Sequence, residues 1–422
     1  MKFTMTLNIN HLTLFLLIHI NMYSQVQVEV SPPGNIKSIV FKGPHESMQF
    51  PLVRLGEPVF LNFDDLYADE EDYYYKIEHC NYDWTPSNIL KSQYLDGLDN
   101  LRIINYKNSV ATIQPYSNYT LQIPNKQTKL KLSGNYILKI FDSRDELVFS
   151  RRFVVYNDLV AVGVTIKRAR DLSIIDKKQV VQLIINSNNI ELINPQEEVK
   201  IAILQNYNWN TAITNIKPQF YSKNQLTYKY DKETMFNGGN EYLFFDTKEI
   251  RISNSAIANV ELKEVYHQYL YTDINRRDKL YTYNPDINGD FIIRTLDGVE
   301  SNPYTEADYS FVHFSLAYNE MIGLDGIYVY GKFNNYEFSD ENKLQFNPEN
   351  NLLENKLLLK QGFYNYKYVK ADSKGNIDYN YISGNKYETE NDYLVLVYYR
   401  NFGELYDSVI GMGTANSTNI SN

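Results

Sequence analysis

Two stretches of the sequence carry side chains that could do chemistry. In YKIEHCNYDW, His79 could act as a general base and Asp83 could orient it. A histidine that ends a strand before a turn is more often a structural hydrogen-bonding residue. Catalytic signatures such as G-x-S-x-G, H-E-x-x-H and a glycine-rich phosphate loop are absent from the sequence. We therefore predict that the protein is not an enzyme.

The second stretch, PDINGDFIIRTLD, resembles a calcium loop because Asp286, Asn288 and Asp290 alternate along it. An EF-hand loop requires glycine at its sixth position and glutamate at its twelfth, where this stretch has phenylalanine and aspartate. An Asn-Gly turn that leads into a strand at 291–294 explains the same residues. The acidic run DDLYADEEDYYY is interpreted as a solvated loop before a strand. The sequence thus predicts no metal site and no cofactor.

The composition indicates an all-β protein with several domains. The chain has 422 residues, of which 43% are hydrophobic, and 38 are tyrosines. Tyrosine and β-branched residues favour strands, and a helical period is not found. The net charge of −10 lacks the basic footprint of a nucleic-acid-binding protein. The single cysteine, Cys80, excludes an intramolecular disulfide and is predicted to be buried and structural.

The beginning of the chain predicts export. A short apolar run, LTLFLLIHI, follows Lys2 and precedes Ser24, which is the pattern of a secretory signal peptide that ends before Gln25. The run is too short to span a hydrocarbon layer of roughly 30 Å. No later run reaches a membrane-spanning length, and no cysteine follows the apolar run for lipid attachment. We expect a soluble exported protein without membrane insertion.

Alternating strand patterns divide the mature chain into three blocks of short strands. The runs at 135–141 and 147–155 flank a short polar loop and predict a hairpin, and VQVEV at 26–30 predicts an earlier strand. The expected fold is a tandem of immunoglobulin-like or early-set β-sandwiches. The predicted divisions are a signal peptide at 1–24, sandwiches at 25–157, 158–300 and 301–413, and a flexible tail at 414–422.

The third block resembles a starch- or glycogen-binding β-sandwich. The stretches YVYGKFNNYEF and LLLKQGFYNYKYV place Phe333, Tyr336, Tyr364 and Tyr366 at alternating positions, as aromatic platforms for sugar rings would be. Such modules usually have tryptophan after the Asn-Asn turn, where this chain has Tyr336. Alternating aromatic residues are also what a sandwich core requires. Core or interface packing is favoured, and α-glucan binding remains the alternative function.

A longer set of motifs resembles the plug protein family of the type IX secretion system of Bacteroidetes. These pieces are His79-Cys80-Asn81, Asp83-Trp84, Asp96-Gly97, YTLQIPN, SGNY, NPDINGDFIIR, LLLKQGFYNYKYV and YYRNFGELYDSVIG. Together they cover nearly the whole mature chain. The segment NSVATIQPYSNY departs from the pattern of the family.

This resemblance implies a non-enzymatic protein that docks on the periplasmic end of an outer-membrane β-barrel translocon and closes its pore. The implied partner is that barrel, and no small-molecule substrate is expected. The resemblance implies structural roles for seven motif residues: His79, Cys80, Asn81, Asp83, Trp84, Asp96 and Gly97.

Overall fold

The computed structural model describes residues 25–44, 50–296, 302–323, 326–372 and 374–420. Strands make up 45% of the structure and helices 5%, which confirms the predicted all-β class. The predicted signal peptide at 1–24 lies outside the described residues. No helix in the described ranges is long and apolar enough to cross a bilayer.

The strands are short and are numbered in chain order. The first eleven are β1 (Ile36–Lys42), β2 (Leu52–Arg54), β3 (Val59–Asp65), β4 (Tyr74–Cys80), β5 (Leu95–Gly97), β6 (Leu101–Arg102), β7 (Asn105–Asn108), β8 (Ser117–Ile123), β9 (Thr128–Leu130), β10 (Gly134–Phe141) and β11 (Leu147–Tyr156). The next eleven are β12 (Ala161–Arg168), β13 (Lys178–Asn186), β14 (Val199–Gln205), β15 (Ile213–Thr214), β16 (Phe220–Ser222), β17 (Gln225–Tyr228), β18 (Met235–Asn237), β19 (Leu243–Asp246), β20 (Ile257–Leu262), β21 (Tyr266–Leu270) and β22 (Phe291–Ile293). The remainder are β23 (Tyr309–Ala317), β24 (Gly326–Tyr330), β25 (Gln345–Asn347), β26 (Leu352–Lys360), β27 (Gly362–Ala371), β28 (Ile377–Asp378), β29 (Asp392–Tyr399) and β30 (Ser408–Asn416). One-turn helices are α1 (Lys91–Tyr94), α2 (Pro195–Glu198) and α3 (Pro303–Glu306).

The first sandwich contains β1 to β11. One sheet has the order β1-β3-β8-β7 and the other β2-β11-β10-β4-β6, while β5 and β9 form a separate pair. Alternate residues of β4 and β10 point into the core, as the period of a strand requires. Aromatic rings fill this core, and Phe63 stacks on Tyr119 with ring centroids 5.1 Å apart. The predicted hairpin is present as β10 and β11.

The second sandwich is completed by strands from the far end of the chain. One sheet has the order β12-β13-β17-β16, with β18 also beside β13, and the other has the order β15-β14-β29-β30. In the second sheet β14 pairs with β29, so that Ile203 lies opposite Val395. The prediction that residues 158–300 and 301–413 form consecutive sandwiches is therefore wrong in its boundaries, because strand pairing joins residues from both ranges.

The predicted flexible tail at 414–422 also needs correction. Strand β30 continues to Asn416, and Ser417 to Asn419 form a 3-10 turn in which Ser417 is buried. The Ser417 hydroxyl accepts a hydrogen bond from the backbone N–H of Asn391 and donates one to the carbonyl of Thr389. These bonds hold the last described turn against the loop that precedes β29.

Strand β29 is buried on both faces and so joins two sandwiches. Val395 and Val397 pack in the core of the second sandwich, whereas Leu394, Leu396 and Tyr398 pack against the first. The sheet that contains β29 is thus the middle layer between the first sandwich and the rest of the second. A continuous apolar run, YLVLVYY, is the sequence signature of such a doubly buried strand.

The third sandwich lies between β18 and β29 in the sequence. One sheet has the order β20-β21-β23-β26-β25, and the other is built around β27, which pairs with β19, β22, β24 and β28. Phe314 and Leu316 of β23 meet Tyr364 and Tyr366 of β27 in the core. The third sandwich is therefore an insertion in the second.

A buried ion pair joins the first and third sandwiches. The Lys360 ammonium lies 2.6 Å from the Asp64 carboxylate, and both side chains are fully buried. The hydroxyl of Tyr309 and the side-chain amide of Asn118 also donate to Asp64. Lys360 makes a further hydrogen bond to the carbonyl of Tyr304. Several polar groups therefore compensate the cost of burying both charges.

Candidate functional site

His79 is an internal hydrogen-bonding residue at the end of β4. Its Nδ1 lies 2.9 Å from the Ser87 hydroxyl and its Nε2 lies 3.3 Å from the carbonyl oxygen of Ser133. Tyr136 contacts the ring edge-on at a centroid distance of 4.8 Å. Burial lowers the pKa of His79 to about 4, so the imidazole is neutral at neutral pH. Asp83 is not among its partners, and the base–orienter pair considered above does not form.

The SGNY motif supplies the space that this histidine needs. A Cβ on Gly134 would lie 2.2 Å from Nε2 of His79, and Gly134 has a φ of +154°.

Cys80, which follows His79 in the sequence, is fully buried, and burial raises the pKa of its thiol to about 12. A protonated thiol without exposure has no nucleophilic character.

The turn after β4 presents Trp84 to the second sandwich. Asp83 shapes this turn by accepting hydrogen bonds from the backbone N–H and the hydroxyl of Thr85. Trp84 has a φ of +65° and packs edge-on against Trp209, with ring centroids 5.0 Å apart. The guanidinium of Arg152 lies over the Trp84 ring at 4.4 Å. The motif therefore forms a contact between sandwiches.

Asp407, between β29 and β30, connects the turn after β4 to the second sandwich. Its fully buried carboxylate accepts two hydrogen bonds from the Arg400 guanidinium and one from the backbone N–H of Tyr82. The Arg400 guanidinium also reaches the side-chain oxygen of Asn81 at 3.4 Å. The motifs HCNYDW and YYRNFGELYDSVIG, distant in sequence, thus meet at one junction, which we call the motif junction.

Asp96 and Gly97 lie away from the motif junction. They belong to β5, which pairs with β9, and Asp96 is exposed. Gly97 has a φ of +114°, and a Cβ there would lie 1.8 Å from the carbonyl oxygen of Gln127. The glycine is required by this close approach, whereas the structure gives no physical reason for the aspartate.

The four aromatic residues of the third block divide into two pairs. Tyr364 and Tyr366 are core residues at 1% and 3% exposure, and the Tyr366 hydroxyl donates to Asp273. Rings enclosed in this way present no face on which a sugar could stack, which removes these two tyrosines as glycan-facing residues. Phe333 and Tyr336 lie in the turn after β24 and line a cavity, whose wall also includes Tyr364. Tyr336 is largely buried there against Tyr330, at a centroid distance of 5.1 Å.

The candidate calcium loop is a turn. Asn288 and Gly289 both have positive φ, as a tight Asn-Gly turn requires, and β22 follows. The Asp286 carboxylate accepts hydrogen bonds from the backbone N–H groups of Tyr242 and Asn288. Burial raises the pKa of Asp286 to about 7. Within the described ranges, histidine, cysteine and carboxylate side chains form no group of three that could hold a metal ion.

The sequence did not reveal the cavity at the meeting point of the three sandwiches. It has a volume of about 340 Å³, and its walls include the segment before β1, strand β11, the turn around Trp209 and the turn that holds Phe333. These segments are far apart in the sequence. Of its lining residues, the sequence had singled out Phe333, Tyr336 and Tyr364, as aromatic residues of the third block.

The fold defines the class of protein: an all-β protein of three sandwiches. The residues of the family motifs chiefly make contacts within and between these sandwiches. Residues 36–157 match the family described as type 9 secretion system plug protein 1st domain. The first sandwich therefore belongs to this family, and the match supports a protein related to type 9 secretion. The family is of a non-enzymatic kind.

A crystal structure extends the likeness beyond the first sandwich. A hypothetical protein from Parabacteroides merdae ATCC 43184 is 31% identical, with a TM-score of 0.87 over 93% of this chain and 100% of that chain. The BSP domain of a biofilm-associated protein aligns over 94% of this chain and 61% of that chain, at 10% identity and a TM-score of 0.18, and carries no argument about the fold. No curated protein matches the sequence.

Proposed function

We propose that this protein is a periplasmic plug that binds the periplasmic end of an outer-membrane translocon β-barrel and closes its pore. The observation that carries the proposal is the match of residues 36–157 to the first domain of the secretion plug family. In this proposal the protein acts without catalysis, cofactor or small-molecule substrate, and it reaches the periplasm by a cleaved signal peptide.

The way in which the sandwiches are joined supports this role. A pore that passes folded proteins can be blocked only by a folded body that keeps its shape. The doubly buried β29 joins the first and second sandwiches, and the pair of Asp64 and Lys360 joins the first and third. Release during transport requires an interface of moderate size with a polar rim.

The test combines permeability with crosslinking in cells. Deletion of the gene is expected to make the outer membrane leak large solutes, and expression of the wild-type chain is expected to restore the barrier. A photo-crosslinking residue at Leu98, Leu262 or Phe402 places a probe on an exposed position of each sandwich. At least one position should give an adduct that contains the barrel and is missing in a strain without it. An intact barrier in the deletion strain, together with adducts that lack the barrel, would refute the proposal.

A further inference from the structure

The cavity between the three sandwiches has the size and composition of a ligand site. Its volume of about 340 Å³ lies in the usual range for pockets that bind small ligands. Phe333, Phe338 and Trp209 are only partly buried and line it. Aromatic walls of this kind favour an apolar or aromatic body.

Arg151 contributes an incompletely satisfied guanidinium to the wall. The side chain is 9% exposed, and its Nη1 donates to the carbonyl oxygens of Ser150 and Val30, at 2.7 and 3.4 Å. Its Nε and Nη2 have no partner in the described part of the chain, and no described carboxylate lies within ion-pair distance. This edge of a guanidinium is the one that holds a carboxylate through two parallel hydrogen bonds.

Three other cations line the cavity, and two of them have ionic partners, whereas Arg152 donates to the carbonyl of Gln27 and lies over the Trp84 ring. Lys37 pairs with Glu341 at 2.6 Å, and Lys332 pairs with Asp290 at 3.0 Å. Burial lowers the pKa of Arg151, and the nearby carboxylates of Glu29 and Glu337 act in the opposite direction. A buried cation without an ion pair is costly, so an anion supplied from outside would be stabilised there.

The two acidic side chains near Arg151 are engaged elsewhere. Glu29 accepts hydrogen bonds from the backbone N–H of Arg152 and from the Asn335 amide. Glu337 accepts hydrogen bonds from the Ser31 hydroxyl and from Asn335. These bonds hold both carboxylates in the wall, and the Nε–Nη2 edge of Arg151 remains available.

We propose that this cavity binds a carboxylate carried by an aromatic or aliphatic group. Arg151 holds the carboxylate through Nε and Nη2, and the rings of Phe333, Phe338 and Trp209 enclose the apolar part. A small organic acid and the C-terminus of a polypeptide can both supply a carboxylate attached to an apolar group. The inference does not depend on the proposed plug function, because it concerns the purified protein in the absence of any barrel.

Tryptophan fluorescence provides the measurement, since the chain has two tryptophans and Trp209 lines the cavity. We expect N-acetylphenylalanine to change the emission of the mature protein in a saturable way. N-acetylphenylalaninamide, which lacks the charge, should bind at least tenfold more weakly. Trp209→Phe should reduce the signal, which would assign the change to the cavity. Equal affinity for the acid and the amide, or a response that does not saturate, would overturn the proposal.

Variants test the role of Arg151 directly. Arg151→Met preserves most of the side-chain volume and should lose at least tenfold in affinity for the acid, while its affinity for the amide stays unchanged. Arg144→Met removes an exposed arginine of the first sandwich and serves as the matched control. Wild-type affinity in a folded Arg151→Met protein would also overturn the proposal. If Arg151→Met does not fold, the proposal is judged by the wild-type protein alone: it stands if the acid binds at least tenfold more tightly than the amide, and it fails if the two bind equally.

Peptides distinguish the two sources of the carboxylate. Gly-Gly-Phe with a free C-terminus is compared with the amidated peptide and with N-acetylphenylalanine. At least tenfold tighter binding of the free peptide than of N-acetylphenylalanine would assign the site to a polypeptide C-terminus. Equal or weaker binding of the peptide would assign it to small organic acids.

Discussion

Removal of the Lys360 ammonium should destabilise the contact between the first and third sandwiches more than any exposed ion pair does. Lys360→Met leaves the Asp64 carboxylate buried without a cation. Breaking one side of a buried pair typically costs about 3–5 kcal/mol. Tyr309 and Asn118 still donate to Asp64, so we expect the lower end, about 3 kcal/mol. The measurement is hydrogen exchange of β3, β8 and β23, combined with urea unfolding.

The loss of stability in Lys360→Met should increase with pH. Burial raises the pKa of Asp64 and lowers the pKa of Lys360. Without the ammonium, the folded-state pKa of Asp64 rises further above its unfolded value. Ionisation then opposes folding, and the loss of stability in Lys360→Met should grow as the pH rises from 5 to 8.

Three further proteins complete the design: Lys37→Met, the single variant Asp64→Asn, and the double variant Asp64→Asn/Lys360→Met. Lys37→Met breaks a partly exposed ion pair between the same two sandwiches and should cost no more than about 1 kcal/mol. The double variant Asp64→Asn/Lys360→Met should be more stable than the sum of the single losses implies, by about 2 kcal/mol. A loss below about 1 kcal/mol in Lys360→Met, or strict additivity in the double variant, would refute the reasoning.

Three shorter predictions concern the residues around β4. The folded-state pKa of His79 is lowered to about 4 from 6.5, so stability that is complete above pH 6.5 should fall by at most about 3 kcal/mol as the pH drops to 4. Urea midpoints across this range should show a shallower pH dependence in His79→Gln. Gly134→Ala forces a Cβ against the His79 ring and should lower stability by about 2 kcal/mol or more, whereas Gly34→Ala, where a Cβ meets nothing within 4 Å, should have little effect in thermal unfolding. Cys80 is fully buried with a pKa raised to about 12, so a thiol reagent at pH 8 should label it only after urea is added, and rapid labelling of the native protein would contradict its placement.

Local patterns predicted local structure well. The polar loop between two alternating runs predicted the hairpin of β10 and β11, and the Asn-Gly step predicted the turn before β22. Alternation alone was insufficient to predict a strand at VQVEV, which pairs with no strand in the described part of the chain. It is held by bonds such as that from Gln27 N–H to the Trp84 carbonyl and that from the Ser150 N–H to the Val30 carbonyl.

Long-range pairing explains what the sequence did not reveal. The apolar run of β29 marked a doubly buried strand, but no residue within it indicates that its partner is β14, nearly two hundred positions earlier. The motif junction could not be predicted for the same reason. The role of Asp407 depends on its contacts with Arg400 and Tyr82, and Tyr82 is distant from it in the sequence. The cavity requires segments from all three sandwiches, so no local pattern could reveal it.

The pairing of β14 with β29 sets an order for folding during synthesis. Domains usually fold in turn as the chain emerges, the N-terminal one first. Here the third sandwich has all of its strands available before the second, because the second lacks two strands of one sheet until residues 392–416 have been made. A ribosome paused before β29 would therefore display two finished sandwiches and, between them in sequence, one that still exposes its apolar face. Strands β29 and β30, which are synthesised after the third sandwich, complete the middle layer of the molecule.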